Sequence, residues 1–324
     1  HDPNSLFALI ELNGDAGHCS GRPTSVNCLM ANESVLLSSQ GYYEQDPQFH
    51  NMMWIEDLEG TQGIQSDMAI KVPVFEEGKT ITYAVAEVER FMRWPATVRR
   101  HYVFMKDRFL WVRDEVAFQS TFFARLGPSW LTRQVQGGDG KTWFNSYFDI
   151  MPYTGLGQGG GMHRWRNNAY DLLTYIVPRP GNELVMSDLT SHNYYMNAPL
   201  RARQVWRGLA KDGQTKVFDS LLIPHPVKAK QESGEWLAKS IQPISPAESQ
   251  TAVIFETPVQ TAVGPTLDKV LVVFSDKPFS GGGVSTDAKM AVVVWRGKDV
   301  INWYVHQGTT LLTGRLWAFA FSTI

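Results

Sequence analysis

The sequence lacks any run of about 18 apolar residues, which excludes a membrane-spanning helix of ordinary length. It has little excess charge: 30 Lys and Arg stand against 32 Asp and Glu, a net charge of −2. No global positive field is available to collect a polyanion, so a nucleic-acid platform is not expected, and an acidic ligand would need a local basic cluster. Cysteine is almost absent. Cys19 and Cys28 are the two present, nine residues apart, which allows either a disulfide in an exporting compartment or two free thiols. Helix-period patterns are scarce. The phosphate-binding G-x-x-x-x-G-K-[ST] loop, H-E-x-x-H, G-x-S-x-G and C-x-x-C are all missing. No signal peptide is visible, and the opening His1-Asp2-Pro3 reads as that of a mature or excised segment of a secreted or periplasmic protein.

What is present reads as β structure. Hydrophobic content of 43% and charged content of 19% suit a chain with a sizeable core, and 11 Trp, 11 Tyr and 17 Phe suit sheet faces and sugar-stacking surfaces alike. Alternating or β-branched runs occupy 69–75, 80–87, 102–105, 109–113, 172–177, 252–256, 270–275, 290–295 and 300–305. Turn chemistry separates them at Glu77-Gly78-Lys79, Lys106-Asp107-Arg108, Gly137-Gly138-Asp139-Gly140, Arg179-Pro180-Gly181 and Arg296-Gly297-Lys298-Asp299. The expected fold is all-β, a large antiparallel sandwich with a second, smaller sheet layer. Pro224, Pro226, Pro243 and Pro246 break the strand pattern, and the expected division is 1–205 for the sandwich and 206–324 for the smaller layer.

Two blocks carry a resemblance. The first, at 7–57, is FALIELNGDAGHCSGRPTSVNCLMANESVLLSSQGYYEQDPQFHNMMWIED: a strand, a Gly-His turn, further strands, a Gly-Tyr-Tyr turn and His50-Asn51. The second runs from Arg99-Arg100 through Val103-Phe104, Lys106 and Phe109 to Val112-Arg113-Asp114-Glu115. Together they resemble the β-domain of heparinase II/III-type polysaccharide lyases, over the first 190 residues. The resemblance implies cleavage of a uronic-acid-containing polysaccharide, alginate or a glycosaminoglycan, by β-elimination. It also implies a partner, since the α/α toroid of the family is not in these 324 residues and would be a separate chain or segment.

Residue by residue, the resemblance puts His18 of the Gly-His turn first among catalytic candidates, with Tyr43 and His50 beside it. Asn51 and Arg22 are the matching substrate-binding candidates. His50-Asn51 also reads as a pair that satisfies local backbone at a strand entrance. The sequence itself adds His163, Arg164 and Trp165 in a Gly-rich loop, where a guanidinium fork and an indole face suit an acidic sugar. Family members hold a structural zinc, but its positions fall here on Ser20, Ser39 and Val98 or Arg99. Loss of all three ligands together predicts no zinc and no other cofactor. A reading from another class stays open: a non-catalytic carbohydrate-binding or assembly subunit that kept the fold and lost the metal site.

Overall fold

The computed structural model of the protein describes residues 5–12, 23–32, 34–39, 50–60, 68–147, 170–188, 200–226, 234–247 and 250–313. Among them are twenty-three strands, all paired antiparallel, one short helix, α1 (Gly234–Ser240), and a 3-10 turn at Phe91–Arg93. The all-β expectation holds. The chain divides into two compact units: His1–Ile176 with Pro180–Gly234, and Val177–Arg179 with Glu235–Ile324.

Unit 1 holds three sheets. The smallest runs β1 (Phe7–Ile10), β2 (Val26–Ala31), β3 (Ser34–Ser38). A four-stranded sheet runs β13 (Asn182–Asp188), β14 (Leu200–Ala210), β9 (Phe122–Thr132), β4 (Met53–Glu56). The eight-stranded sheet runs β10 (Gln134–Gly138), β11 (Trp143–Tyr147), β12 (Tyr170–Ile176), β15 (Thr215–Pro226), β8 (Phe109–Phe118), β7 (Ala96–Met105), β6 (Ile81–Val88), β5 (Ile70–Glu77). The side-chain period of two sends Ala84, Tyr102, Leu110, Val112 and Leu222 to one face, where they pack with Leu29, Leu36 and Trp130 of the smaller sheets. Each such leucine contributes roughly 1.5–3 kcal/mol by leaving water.

Local chemistry sets the hairpin that matters most. β7 and β8 pair from Ala96↔Phe118 to Met105↔Phe109, and the connection Lys106-Asp107-Arg108 turns through a left-handed Asp107 (φ 65). Aspartate tolerates that region better than most side chains. Its carboxylate also accepts the Leu6 N–H at 3.1 Å, anchoring the start of β1. In the four-stranded sheet Gly127 has no room for a side chain: a Cβ there would lie 1.6 Å from the Gln204 carbonyl oxygen across β14.

Unit 2 holds a five-stranded sheet, β16 (Gln242–Ala247), β17 (Gln250–Thr261), β18 (Gly264–Ser275), β21 (Met290–Arg296), β22 (Asp299–His306). Beside it lies a three-stranded sheet, β19 (Phe279–Gly281), β20 (Val284–Thr286), β23 (Leu311–Thr313). Its core is aliphatic and aromatic, built on Ile254, Leu271, Val273, Val293, Phe279 and Leu311.

The expected boundary after residue 205 is corrected to the region of residue 234. Residue 205 lies inside β14, which is paired on both sides, and β15 is an interior strand of the large sheet. The prolines misled for a physical reason. Pro224 and Pro226 sit beyond Leu222, the last β15 residue paired to β8, and Pro243 and Pro246 sit on the edge strand β16. Both are places where a missing N–H costs little.

Candidate functional site

One buried polar joint draws the three sheets of unit 1 together. Glu11, just after β1, exchanges backbone hydrogen bonds with Thr24 and Ser25: its N–H donates to Ser25 O and its carbonyl accepts from Thr24, both at 2.9 Å. The Val26 N–H donates to Asn51 O at 3.1 Å, and the Ser39 N–H to Asn27 O at 3.0 Å. Asn51 is the hub. Its Nδ2 donates to Val26 O at 2.9 Å, its Oδ1 accepts the Leu131 N–H at 2.6 Å, and its own carbonyl accepts Arg100 Nη1 at 2.9 Å.

Arg100 comes from the middle of β7 and is fully buried. Its Nη1 also donates to Thr24 O at 3.0 Å, and Tyr102 OH donates to the same carbonyl at 2.5 Å. The guanidinium lies 5.2 Å from the Trp130 ring centroid, and Trp130 Nε1 donates to Ser220 Oγ at 3.0 Å. The counter-charge is Asp114, the cross-strand partner on β8, with Oδ1 3.1 Å from Arg100 Nε. The two atoms are close without the alignment of a hydrogen bond, and among the described residues Arg100 Nη2 and Asp114 Oδ2 have no hydrogen-bond partner. Burial pushes the Asp114 carboxyl up from 3.8 to about 6, against the pull of Arg100.

The joint fixes where the sequence-predicted residues start from. Segment 13–22, which holds His18 and Arg22, is flanked by Leu12 and Pro23, next to the Glu11–Thr24 bonds. Segment 40–49, which holds Tyr43, is flanked by Ser39 and His50. Ser39 Oγ lies 3.0 Å from Ser25 Oγ and 3.4 Å from Asn51 Nδ2. The ends of both segments therefore meet at one place, while His18, Arg22, Tyr43, Cys19 and Ser20 lie outside the described residues. The ends of a further segment, 189–199, meet beside them, because Leu200 pairs with both Asp188 and Thr132, the neighbour of Leu131. Its sequence includes His192, Tyr194 and Tyr195, a polar-aromatic cluster between two strands that the sequence reading passed over.

His163, Arg164 and Trp165 also lie outside the described residues, in 148–169 between β11 and β12. That segment starts after Tyr147, which pairs with Gln134, two residues beyond Thr132, and it ends at Tyr170, which pairs with Pro226 on β15.

His50 and Asn51 need correction as substrate-facing groups. Both have 0% exposure, and Asn51 spends its side-chain amide on Val26, Ser39 and Leu131. Asn51 is an interior group that satisfies backbone and fixes the joint. Of the positions aligned with the family's zinc ligands, Ser39 sits in this hydroxyl cluster, Val98 is fully buried in the apolar core, and Arg99 pairs with Glu87 on the sheet surface. No three His, Cys, Asp or Glu side chains gather as a ligand set among the described residues. Cys28 is a free thiol, raised to about 11 by burial.

The opposite face of β6–β8 carries a second polar chain. Tyr83 OH lies 2.8 Å from His101 Nδ1, His101 Nε2 lies 3.6 Å from Glu115, and Arg113 bridges Glu115 at 2.8 Å and Asp219 at 3.4 Å. Desolvation lowers the His101 pKa, with Glu115 opposing it.

No protein-family model and no curated protein matches the chain. Solved structures do. A crystal structure of heparinase III matches with a TM-score of 0.52 at 11% identity, covering 94% of this chain and 40% of that one. The heparan sulfate lyase HepC from Pedobacter heparinus matches with a TM-score of 0.46 at 12% identity, covering 76% of this chain and 36% of that one. The chain thus spans about two fifths of the length of these structures or less, and the likeness is one of fold.

Proposed function

We propose that the chain is the β-sandwich part of a polysaccharide lyase that cleaves a uronic-acid-containing glycan by β-elimination. The observation that carries this reading is the joint around Asn51 and Arg100, at which the segments bearing His18, Arg22 and Tyr43 begin and end. The heparinase III likeness of the fold supports it. A rigid, fully buried frame under short polar segments is what precise positioning of catalytic groups requires.

In the proposed reaction His18 donates a hydrogen bond to the uronate carboxylate, and Arg22 pairs with its charge. Both stabilise the enolate-like charge that develops as the C5 proton leaves. Tyr43, as phenolate, takes that proton; the electron pair forms the C4–C5 double bond, and the C4–O bond breaks. The leaving oxygen then recovers the proton from the Tyr43 phenol. The partner in this reading is an α/α-toroid chain or segment that walls the other side of the glycan, and the setting is secreted or periplasmic.

Incubation with alginate, heparin, chondroitin and hyaluronan tests the reading through the ultraviolet absorbance of the 4,5-unsaturated product. One polymer should give a rising signal, and His18→Ala should lower the rate roughly 10²–10³-fold with the melting temperature unchanged. A flat signal on all four, with the α/α-toroid partner present as well as without it, overturns it. The burial of His50 and Asn51 favours a second reading, a carbohydrate-binding or assembly subunit, which predicts glycan retention without product.

A further inference from the structure

We propose that the four-stranded sheet of unit 1 carries an oxyanion site on the face turned away from its apolar core, where Arg203, Trp54 and Ser129 together take one sulfate or phosphate group. The proposal does not depend on the lyase reading. Alternation assigns the face. Met53 and Ile55 of β4, Ala124 and Leu126 of β9 and Trp206 of β14 pack into one apolar cluster, and Trp130 of β9 with Ala202 of β14 into another. The residues between them, Trp54 and Glu56, Arg125 and Ser129, Arg203 and Arg207, therefore point the other way.

Three donors on that face are buried and unused. Ser129 is 0% exposed, Trp54 1% and Arg203 8%. Among the described residues, Ser129 Oγ, Trp54 Nε1 and Arg203 Nε have no hydrogen-bond partner. They are also neighbours. Ser129 stands directly opposite Arg203 across the β9–β14 pair, and the Arg203 guanidinium lies 4.6 Å from the Trp54 ring centroid. Trp54 is two strands away, and reaches Arg203 because its own β9 partner, Gly127, puts no side chain between them. Single buried donors without partners occur in folded proteins, but three at one spot point to a ligand that supplies acceptors.

Charge decides the kind of acceptor. Burial pulls the Arg203 guanidinium below its ordinary pKa; Glu56 opposes this and Arg125 adds to it. The Glu56 carboxylate is already paired with Arg125 Nη1 at 2.8 Å. Two guanidiniums against one carboxylate leave one positive charge over, and it sits on Arg203. At the rim the exposed Arg207, opposite Arg125, and the exposed Glu183, opposite Val205, offset each other. Arg201, the next outward arginine, is engaged otherwise. A water molecule could accept from two of the donors but would leave the buried charge unmatched. An oxyanion meets both needs, with the Arg203 fork, the indole N–H and the hydroxyl donating to its oxygens. Donors from three strands suit the three free oxygens of a sulfate or phosphate group better than the two of a carboxylate.

Titration of the full chain with sulfate and with phosphate, at an ionic strength held constant with chloride, tests this. The indole N–H resonance of Trp54, assigned by its loss in Trp54→Phe, should move saturably with at least one of the two anions. Calorimetry should give one site, weakened about tenfold or more in Arg203→Met. In chloride alone Arg203→Met should melt no lower than wild type, because a buried charge without a counter-charge costs stability. Ser129→Ala, which removes one donor and no charge, should weaken binding by a smaller factor. Phosphate against methyl phosphate, both dianionic at mildly alkaline pH, separates the two sources of such a group. Tighter binding of the ester assigns the site to a group carried on a larger molecule, and tighter binding of the inorganic ion to a free anion. A Trp54 resonance that ignores both anions, or equal anion binding by wild type, Arg203→Met and Ser129→Ala, overturns the proposal.

Discussion

The two units solve the same problem, closing antiparallel sheets around a core, with different interiors. Unit 1 buries Arg100 and Asp114 at the centre, and Arg113 with Asp219 on the opposite face of the same strands. Unit 2 buries aliphatic and aromatic side chains, and its buried carboxylate Asp268 pairs with Arg296, an arginine two-fifths exposed. Topology accounts for the difference. In unit 2 each strand of the large sheet pairs with its sequence neighbour except across β18–β21, so turns and alternation fix most of the register. Unit 1 sets β12 beside β15 and β15 beside β8, and its sheets meet through residues far apart in sequence. Arg100 to Thr24, Asn51 to Leu131 and Trp111 to Asp219 span 76, 80 and 108 residues. Directional polar ties specify such long-range meetings where apolar packing alone leaves them degenerate.

The comparison can be broken by experiment. The largest effect is expected from Arg100→Met, which leaves the buried Asp114 carboxyl without its counter-charge and takes one of two donors from each of the Thr24 and Asn51 carbonyls. Unfolding should become easier by about 3–5 kcal/mol in denaturant titration. An effect near zero would mean that the ion pair is replaceable by packing, as in unit 2.

Next comes pH. Folding raises the Asp114 pKa to about 6, so between its ordinary 3.8 and that value the folded state holds the extra proton. The contribution is present below pH 4 and is lost as pH rises through 6, about 3 kcal/mol in all. Glu115 works the other way: burial opposes its ionisation, but His101 and Arg113 hold its pKa low, so its contribution is lost as pH falls. The difference between wild type and Asp114→Asn isolates the Asp114 slope; parallel stability–pH curves would refute it.

Asn51→Ala should cost about 1–3 kcal/mol by stranding the Leu131 N–H. Hydrogen exchange at the Leu131 amide should accelerate first, and an unchanged rate would remove Asn51 from the hub. The smallest effect is reserved for Arg296→Gln in unit 2, whose melting shift should fall well below that of Arg100→Met. Equal shifts would erase the contrast.

Much of the fold was legible because its strands announce themselves locally. The runs at 102–105 and 109–113 around Lys106-Asp107-Arg108 became the β7–β8 hairpin, and those at 290–295 and 300–305 became β21 and β22. The character of the joint was not legible. Nothing in the dipeptide His50-Asn51 tells that a β9 amide will reach Asn51 from 80 residues away, so an interior clamp and a substrate ligand look alike in sequence. The unit boundary failed likewise, because a proline marks a boundary or a tolerated strand end according to whether a neighbour needs its N–H.

Gly127 carries a consequence for inheritance. Its missing side chain is occupied by the Gln204 carbonyl, so even one methyl group would force β9 and β14 apart where they hold the sheet behind Asn51. In a library of all nineteen replacements none should survive selection for folded protein, whereas Gly60 and Gly213, left-handed (φ 82 and 73) but with open space around them, should admit asparagine or aspartate. Descendants of this chain can reshape their loops freely, but the spacing of those two strands is frozen by an atom that has to stay absent.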